Sequence, residues 1–248
     1  MGTFKNTIAP SPGNISIFTD LHVLNEAIRY RRWLFSLIQP HLGQHILEVG
    51  SGIGNYTNML LDKDCVVATD IAERYVQILK QKFGSKRNVH VFQLDLHNID
   101  HSLSNTLQSY CLDTVVNMNV LEHIEGDVEA LNVMKQLMNK GGKIITIVPS
   151  FQKLFGSLDE AYGHYRRYNK GDFINIAQRL DLSLICIRYF NVIGILGWIY
   201  SSKLRRKRTL SKKSVAVFDQ LIVPVFSVVE KKINPPFGLS LMAVLQKP

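Results

Sequence analysis

Five short runs rich in valine and isoleucine, at residues 45–49, 65–69, 89–94, 113–118 and 143–148, alternate with stretches of helical periodicity. No other feature constrains the fold as much. Runs this brief and β-branched suit strands buried on both faces, as parallel strands are. Strands separated by helices join as right-handed βαβ units that cover a sheet on both sides. Segments 55–62, 72–83 and 127–139 read as those helices, with Gly141-Gly142 ending the third. A leading helix over 25–42 carries Ala27, Ile28, Leu34, Leu37 and Ile38 at helical spacing and stops at Gly43. After Pro149 a polar, aromatic segment (150–171) leads to a helix near 172–180 and a strand near 182–190. About 45 residues of helical character follow, broken at Pro235-Pro236, before a last strand at 239–246.

The composition is that of a globular chain, 46% hydrophobic and 20% charged over 248 residues. Cys65, Cys111 and Cys186 are odd in number and not spaced as metal ligands, so reduced thiols in a cytoplasmic protein are expected. Met1 to Asn14 lack the apolar block of a signal peptide, and no stretch reaches the roughly 18 apolar residues of a spanning helix. The net charge is +9, but residues 203–213 hold seven lysines and arginines and no acid; without those seven the chain carries +2. One local basic cluster fits a membrane-surface anchor better than a nucleic-acid-tracking face.

Gly50-Ser51-Gly52-Ile53-Gly54 lies between the first strand and the next segment. Glycines there allow a tight turn and let backbone approach a ligand that side chains would exclude. Asp70 follows Gly50 by twenty residues at the end of the second strand, where a carboxylate can accept from both hydroxyls of a ribose. Asp95 closes the third, near an adenine amino group. Three successive strand ends therefore offer ligand-type residues at the carboxyl edge, where open α/β sheets bind ligands. A nicotinamide dinucleotide would want Gly-x-Gly-x-x-Gly; here the third glycine comes one residue early.

The ordered set resembles the class I S-adenosylmethionine (SAM)-dependent methyltransferases. Ile46-Leu47-Glu48-Val49-Gly50-Ser51-Gly52-Ile53-Gly54 resembles their first motif, Val67-Ala68-Thr69-Asp70-Ile71 their second and Val91–Leu96 their third. Asp113–Ile124, with its Leu121-Glu122-His123 ending, resembles the fourth, and Leu137–Pro149 the segment after it. The resemblance covers residues 28–150. It implies an α/β, Rossmann-like seven-stranded sheet, mostly parallel with an antiparallel last strand. Helices would lie on both faces, with a helical cap inserted before that strand. Residues 1–248 would then be one domain: a helical lead (1–42), a SAM-binding core (43–150), and substrate-covering insertions at 150–171 and 191–238.

The same resemblance implies roles. Gly50, Ser51 and Gly52 would line the methionine part of SAM, Asp70 and Ile71 the ribose side, and Asp95 and Leu96 the adenine. Backbone at Asn117 and Met118 would face the amino-acid end. Glu48 would orient the loop or a water, and Arg31 would pair with the SAM carboxylate. S-adenosylhomocysteine (SAH) would be the product. Some quinone-biosynthesis relatives hold a divalent ion through an acidic residue three before a Glu-His pair and through the pair itself. This chain has Asn119 there, so no metal is expected, and Glu122 and His123 are assigned to capping and packing. Asn234-Pro235-Pro236-Phe237 spells the base-gripping motif of DNA amino-methyltransferases. In those enzymes the motif ends the fourth strand, a slot already filled here, so the prolines are read as a helix stop.

Methyl transfer needs the acceptor aligned in line with the sulfonium carbon, and a hydroxyl acceptor gains from a base. Asp159-Glu160-Ala161-Tyr162-Gly163-His164-Tyr165-Arg166-Arg167-Tyr168 is the segment richest in suitable groups, and it resembles the D…GH-RRY signature of a bacterial methyltransferase subgroup. His164 is the candidate base and Asp159 its orienter. Tyr162, Tyr165 and Tyr168 would wall the pocket, while Arg166 and Arg167 would hold an anionic group of the substrate. Residues 191–200 and 215–229 are apolar and flank the basic cluster. They are expected to cap the site, with peripheral membrane contact through 191–232 as an addition. The expected function is methylation of a small-molecule acceptor, at oxygen first, with an apolar, lipid-linked or glycan-type acceptor favoured. The alternatives are an RNA methyltransferase using 203–213 and a catalytically silent SAM-fold binding protein.

Overall fold

In a computed structural model that describes residues 22–248, one seven-stranded sheet has the order β3-β2-β1-β4-β5-β7-β6. The strands are β1 (His45–Val49), β2 (Cys65–Asp70), β3 (Val89–Gln93), β4 (Thr114–Met118), β5 (Lys143–Pro149), β6 (Ser183–Phe190) and β7 (Ser240–Gln246). The first five pair in parallel, and β7 runs antiparallel to both β5 and β6, as expected. The signal-peptide reading of Met1–Asn14 and the start of the helical lead lie outside the described residues.

Alternation along the strands builds two cores. Leu47, Val67, Val115, Ile144 and Ala243 face one side, where α3 (His101–Ser109), α4 (Asp127–Leu137) and α6 (Lys170–Arg179) pack through Leu107, Leu131 and Phe173. Ile46, Val66, Val116, Ile145 and Val244 face the other, against Trp33, Leu34, Leu37 and Ile38 of α1 (Ile28–Ile38) and Leu79 and Phe83 of α2 (Glu73–Phe83). Spacings of one, three and four residues put each helical set on one stripe. The strand order reverses between β1 and β4, which opens a crevice at their carboxyl ends.

Two local expectations change. Segment 55–62 forms only a single 3-10 turn, Thr57–Met59. Asn55, Tyr56, Thr57 and Asn58 are poor helix formers, and the Thr57 hydroxyl bonds the Glu48 carboxylate at 2.5 Å. The helix α3 is one the periodicity does not reveal: it buries only Leu107. Its start is marked instead by Asp100, whose carboxylate caps the Leu103 N–H at 2.7 Å.

The long insertion before β7 holds α7 (Gly194–Trp198), continued by a π-helical stretch to Leu204, then α8 (Lys212–Val217), a second π-helical stretch and α9 (Val223–Lys232). The carboxyl-edge segment after β5 contributes α5 (Ser157–Tyr162).

Candidate active site

The glycine loop closes the carboxyl end of β1. Gly50, Gly52 and Gly54 all have left-handed backbones, with φ of 73°, 54° and 82°. A Cβ on Gly50 would lie 2.5 Å from Val120, and one on Gly54 2.4 Å from the Phe83 ring, so both positions exclude side chains. The early third glycine is thus where the loop packs on α2. Asp70 sits opposite: its carboxylate accepts from the Gly52 and Ala72 N–H groups, both at 2.9 Å. Burial raises its pKa against these bonds. The Ser51 N–H donates to the Thr69 carbonyl at 2.8 Å, which ties the loop to β2. Ile71, next to Asp70, stands 61% exposed.

Beneath the loop Glu48 is buried, and burial pushes its pKa up to about 7 against the Thr57 and Ser51 hydrogen bonds. Arg31 reaches the far side of the loop, donating to the Asn55 carbonyl at 3.2 Å and the Asn25 carbonyl at 2.8 Å. The Asp95 carboxylate, half-buried beyond β3, accepts from the His97 N–H and the Asn98 amide. Leu96 is buried in the core, so only its backbone can face a ligand. The same holds for Asn117, whose side chain accepts from Thr146 and donates toward the Met134 sulfur. Met118 ends β4 beside it, partly buried against the core.

The segment after β5 lies along that strand's end. Tyr168 N–H donates to the Pro149 carbonyl at 2.9 Å and Phe151 N–H to the Tyr168 carbonyl at 3.0 Å. This brings His164 to Asp159, with Nδ1 to Oδ1 at 2.8 Å. A carboxylate can only accept, so Nδ1 carries a proton, and in the neutral ring Nε2 is then the nitrogen with the lone pair. Asp159 is fully buried. Burial alone would raise its pKa, but His164, Arg167 and the Gly156 N–H outweigh it and hold the carboxyl below its ordinary range.

Two further groups, Glu122 and His123, converge on this pair. Ligand-type atoms of Glu122, His123 and His164 lie within 4.8 Å of one another. The His123 and His164 rings meet edge to face at 4.6 Å. Glu122 is fully buried, and neither carboxyl oxygen has a hydrogen-bond partner among the described residues. Burial pushes its pKa up to about 8 and that of His123 down to about 3, so both are predominantly neutral near pH 7. Val120 packs on Gly50 two residues before Glu122, so this cluster adjoins the glycine loop.

Residues 47–144 match a family model described as a methyltransferase domain. Over that stretch, less than half of the chain, the sequence is similar to a methyltransferase domain. A tRNA U34 carboxymethyltransferase of Alteromonas mediterranea is 25% identical over 126 residues, covering 46% of this chain and 36% of that protein. The chain thus spans about a third of that curated relative's length. Among solved structures, a SAM-dependent methyltransferase from Mesorhizobium loti superposes with a TM-score of 0.58 at 10% identity, covering 87% of this chain and 98% of that one. The N-methyltransferase NodS from Bradyrhizobium japonicum, solved with SAH, gives 0.52 at 13% identity, covering 97% and 90%. Likeness at such identities shows the fold.

The structure redistributes several sequence-based roles. Arg167 is 3% exposed and spent inside: Nε donates to Asp159 at 2.9 Å, Nη1 to the Ser150 carbonyl at 3.1 Å, and the guanidinium lies 4.4 Å from the Trp198 ring centroid. It cannot also hold a substrate anion. Tyr168 packs in the core against Phe173 and donates to Asp127 at 2.8 Å, so it does not wall a pocket. Arg166 pairs with Asp127 at 3.0 Å and bonds the Glu125 carbonyl. Tyr162 stays beside His164 at 5.7 Å between rings, and Tyr165 is exposed while its N–H bonds the Glu122 carbonyl. Glu122 and His123, read from sequence as packing, belong to the cluster; the Leu-Glu-His ending was the available signal. Trp198, in the stretch expected to cap the site, bonds the Leu154 carbonyl through its indole N–H at 3.0 Å; the sequence does not reveal this partner because it lies far along the chain.

Proposed function

We propose that the protein transfers the methyl group of SAM to a hydroxyl of a small-molecule acceptor, with His164 as general base and Asp159 as the residue that orients it. The Asp159–His164 hydrogen bond beside the glycine loop carries this reading. It fixes the imidazole tautomer with Nε2 free to accept a proton, and the ionised Asp159 stabilises the imidazolium that results. Gly50, Ser51 and Gly52 would hold the methionine portion of SAM, Asp70 the ribose with Ile71 alongside, and Asp95 with the Leu96 backbone the adenine. Backbone at Asn117 and Met118 would meet the amino-acid end, with Arg31 on the carboxylate and Glu48 bracing the loop. When bound, SAM supplies the electrophilic methyl; the residues supply alignment, exclusion of water and removal of one proton. Tyr162 and Tyr165 are left as the aromatic groups nearest the acceptor. The apolar insertion that covers this edge favours an apolar or lipid-linked acceptor.

The test separates chemistry from binding. With radiolabelled SAM and a panel of phenols, glycosides and polyprenyl-linked saccharides, His164→Ala should lower turnover on the accepted substrate by about 100-fold. SAH affinity, measured by calorimetry, should stay within about twofold. Undiminished turnover would remove His164 as the base. No SAM or SAH binding by the unaltered protein at high micromolar concentration would remove the enzyme reading.

A further inference from the structure

Residues 191–238 contain nine lysines and arginines and only two acids, Asp219 and Glu230. Both acids are buried and point inward. Asp219 accepts from the Tyr30 N–H at 2.7 Å, and Glu230 from the N–H groups of Asn191 and Val192 at 2.7 and 2.9 Å. The insertion's solvent side therefore carries no negative side chain. Lysines and arginines cover it instead: Lys203, Arg205, Arg206, Arg208, Lys212, Lys213, Lys231 and Lys232 are exposed. Among the described residues one ion pair engages them, Lys212 with Glu26 at 3.7 Å.

The insertion also exposes apolar side chains in helical register. Leu196, Tyr200 and Leu204 recur every fourth residue and are 66%, 51% and 71% exposed. Leu221, Val225, Val228 and Val229, at i, i+4, i+7 and i+8, are also exposed. That spacing marks the buried stripe of an amphipathic helix, yet here it faces outward. The inward side is already occupied: Trp198 bonds Leu154, Phe218 meets the Tyr30 ring at 5.8 Å, and Val223 is buried. Two exposed apolar stripes joined in sequence by a basic loop, neither covered by any described residue, are of a kind rare on a water-facing surface.

We propose that this face docks on an anionic lipid surface, with the leucine, tyrosine and valine stripes entering the headgroup–acyl boundary and the loop 205–208 on the headgroups. Charge complementarity chooses the occupant: an insertion that exposes eight cations and no acid of its own wants phosphate or carboxylate, while stripes of aliphatic side chains want hydrocarbon. RNA would satisfy the first requirement and not the second. The inference stands apart from the methyl-transfer reading.

Flotation of the full-length protein with phosphatidylcholine vesicles, with and without phosphatidylglycerol, tests it. Binding is expected to the anionic vesicles, to fall by about tenfold or more when Arg205, Arg206 and Arg208 are changed to Gln, and to fall comparably in Leu204→Gln/Leu221→Gln. All these side chains are exposed, so an unchanged melting temperature and SAH affinity in the same samples verify the fold and keep this test apart from that of the enzyme. No binding to anionic vesicles overturns the proposal. So does loss with the arginine variants alone together with salt-sensitive binding to polyuridylate, which would make the face an RNA site. So does a concentration-dependent dimer abolished by Leu204→Gln/Leu221→Gln without vesicle binding, which would make it a homodimer interface.

Discussion

Glu122→Gln separates a buried neutral acid from a buried anion with little change of shape. Among the described residues Glu122 has no hydrogen-bond partner for either oxygen, and burial pushes its pKa from 4.5 to about 8. In the unfolded chain it titrates near its ordinary value. Between those two values the folded state therefore binds more protons than the unfolded state, and stability falls as pH rises. Below about 4.5 the effect is fully favourable to the fold; above about 8 it is gone. Integrated from roughly pH 6 to roughly pH 8, the linkage removes about 2 kcal/mol from the native protein and nothing from the Gln variant. For a chain of this size that is roughly 4–8 °C of melting temperature. Glu48, Asp70 and His123 also titrate, but they do so in both proteins and cancel in the difference. Calorimetric melting of both proteins across this range should show the unaltered protein losing those degrees relative to the variant. Parallel curves would mean that Glu122 is ionised in the native state, and the reading of a neutral cluster would fall.

Two further outcomes follow from the site. Asp70→Ala removes the acceptor expected for two ribose hydroxyls and should weaken SAH binding by about 10- to 100-fold, at roughly 1.5–3 kcal/mol for hydrogen bonds to a charged group; unchanged calorimetric affinity would place the ribose elsewhere. Dialysis against EDTA should leave both SAH affinity and melting temperature unchanged. A loss restored by magnesium or manganese would instead put a cation among Glu122, His123 and His164.

The parts of the molecule legible in its sequence are those whose cause is local. A five-residue valine-rich run such as Cys65-Val66-Val67-Ala68-Thr69 declares a strand because its neighbours alone set its burial. Gly50, Gly52 and Gly54 declare a ligand loop because left-handed backbone needs glycine, and Asp70 falls at the end of the next strand, twenty residues on. The misassigned residues have distant causes. Arg167 read as an anion holder because an arginine beside tyrosines usually faces water; Trp198, thirty-one positions later, is what roofs it. Tyr168 is drawn into the core by Asp127, forty-one positions earlier. Glu122 looked like a helix-cap acid, and only the closing of segment 157–168 over it leaves its carboxyl buried without a partner. Helix α3 was hidden for a different reason: a helix that buries one leucine has no periodicity to read.

These long-range contacts also bind the insertion to the chemistry. Trp198 lies over Arg167, which holds the Asp159 oxygen that His164 also uses. The Ser157 hydroxyl, at the start of the helix that carries Asp159, lies 2.9 Å from the Ser202 carbonyl and 2.6 Å from that of Lys207. The Ser202 hydroxyl in turn accepts from the Leu158 N–H at 3.3 Å. The stretch that exposes Tyr200 and Leu204 outward therefore hydrogen-bonds inward to the helix that positions the base. The face proposed to rest on lipid and the base proposed to take a proton are therefore tied through one short element. Whatever moves residues 198–207 must move Arg167 and Ser157 with it, or break their bonds. An acceptor delivered from an apolar phase would reach His164 beside that element, which is why the insertion's outward chemistry bears on the choice of substrate.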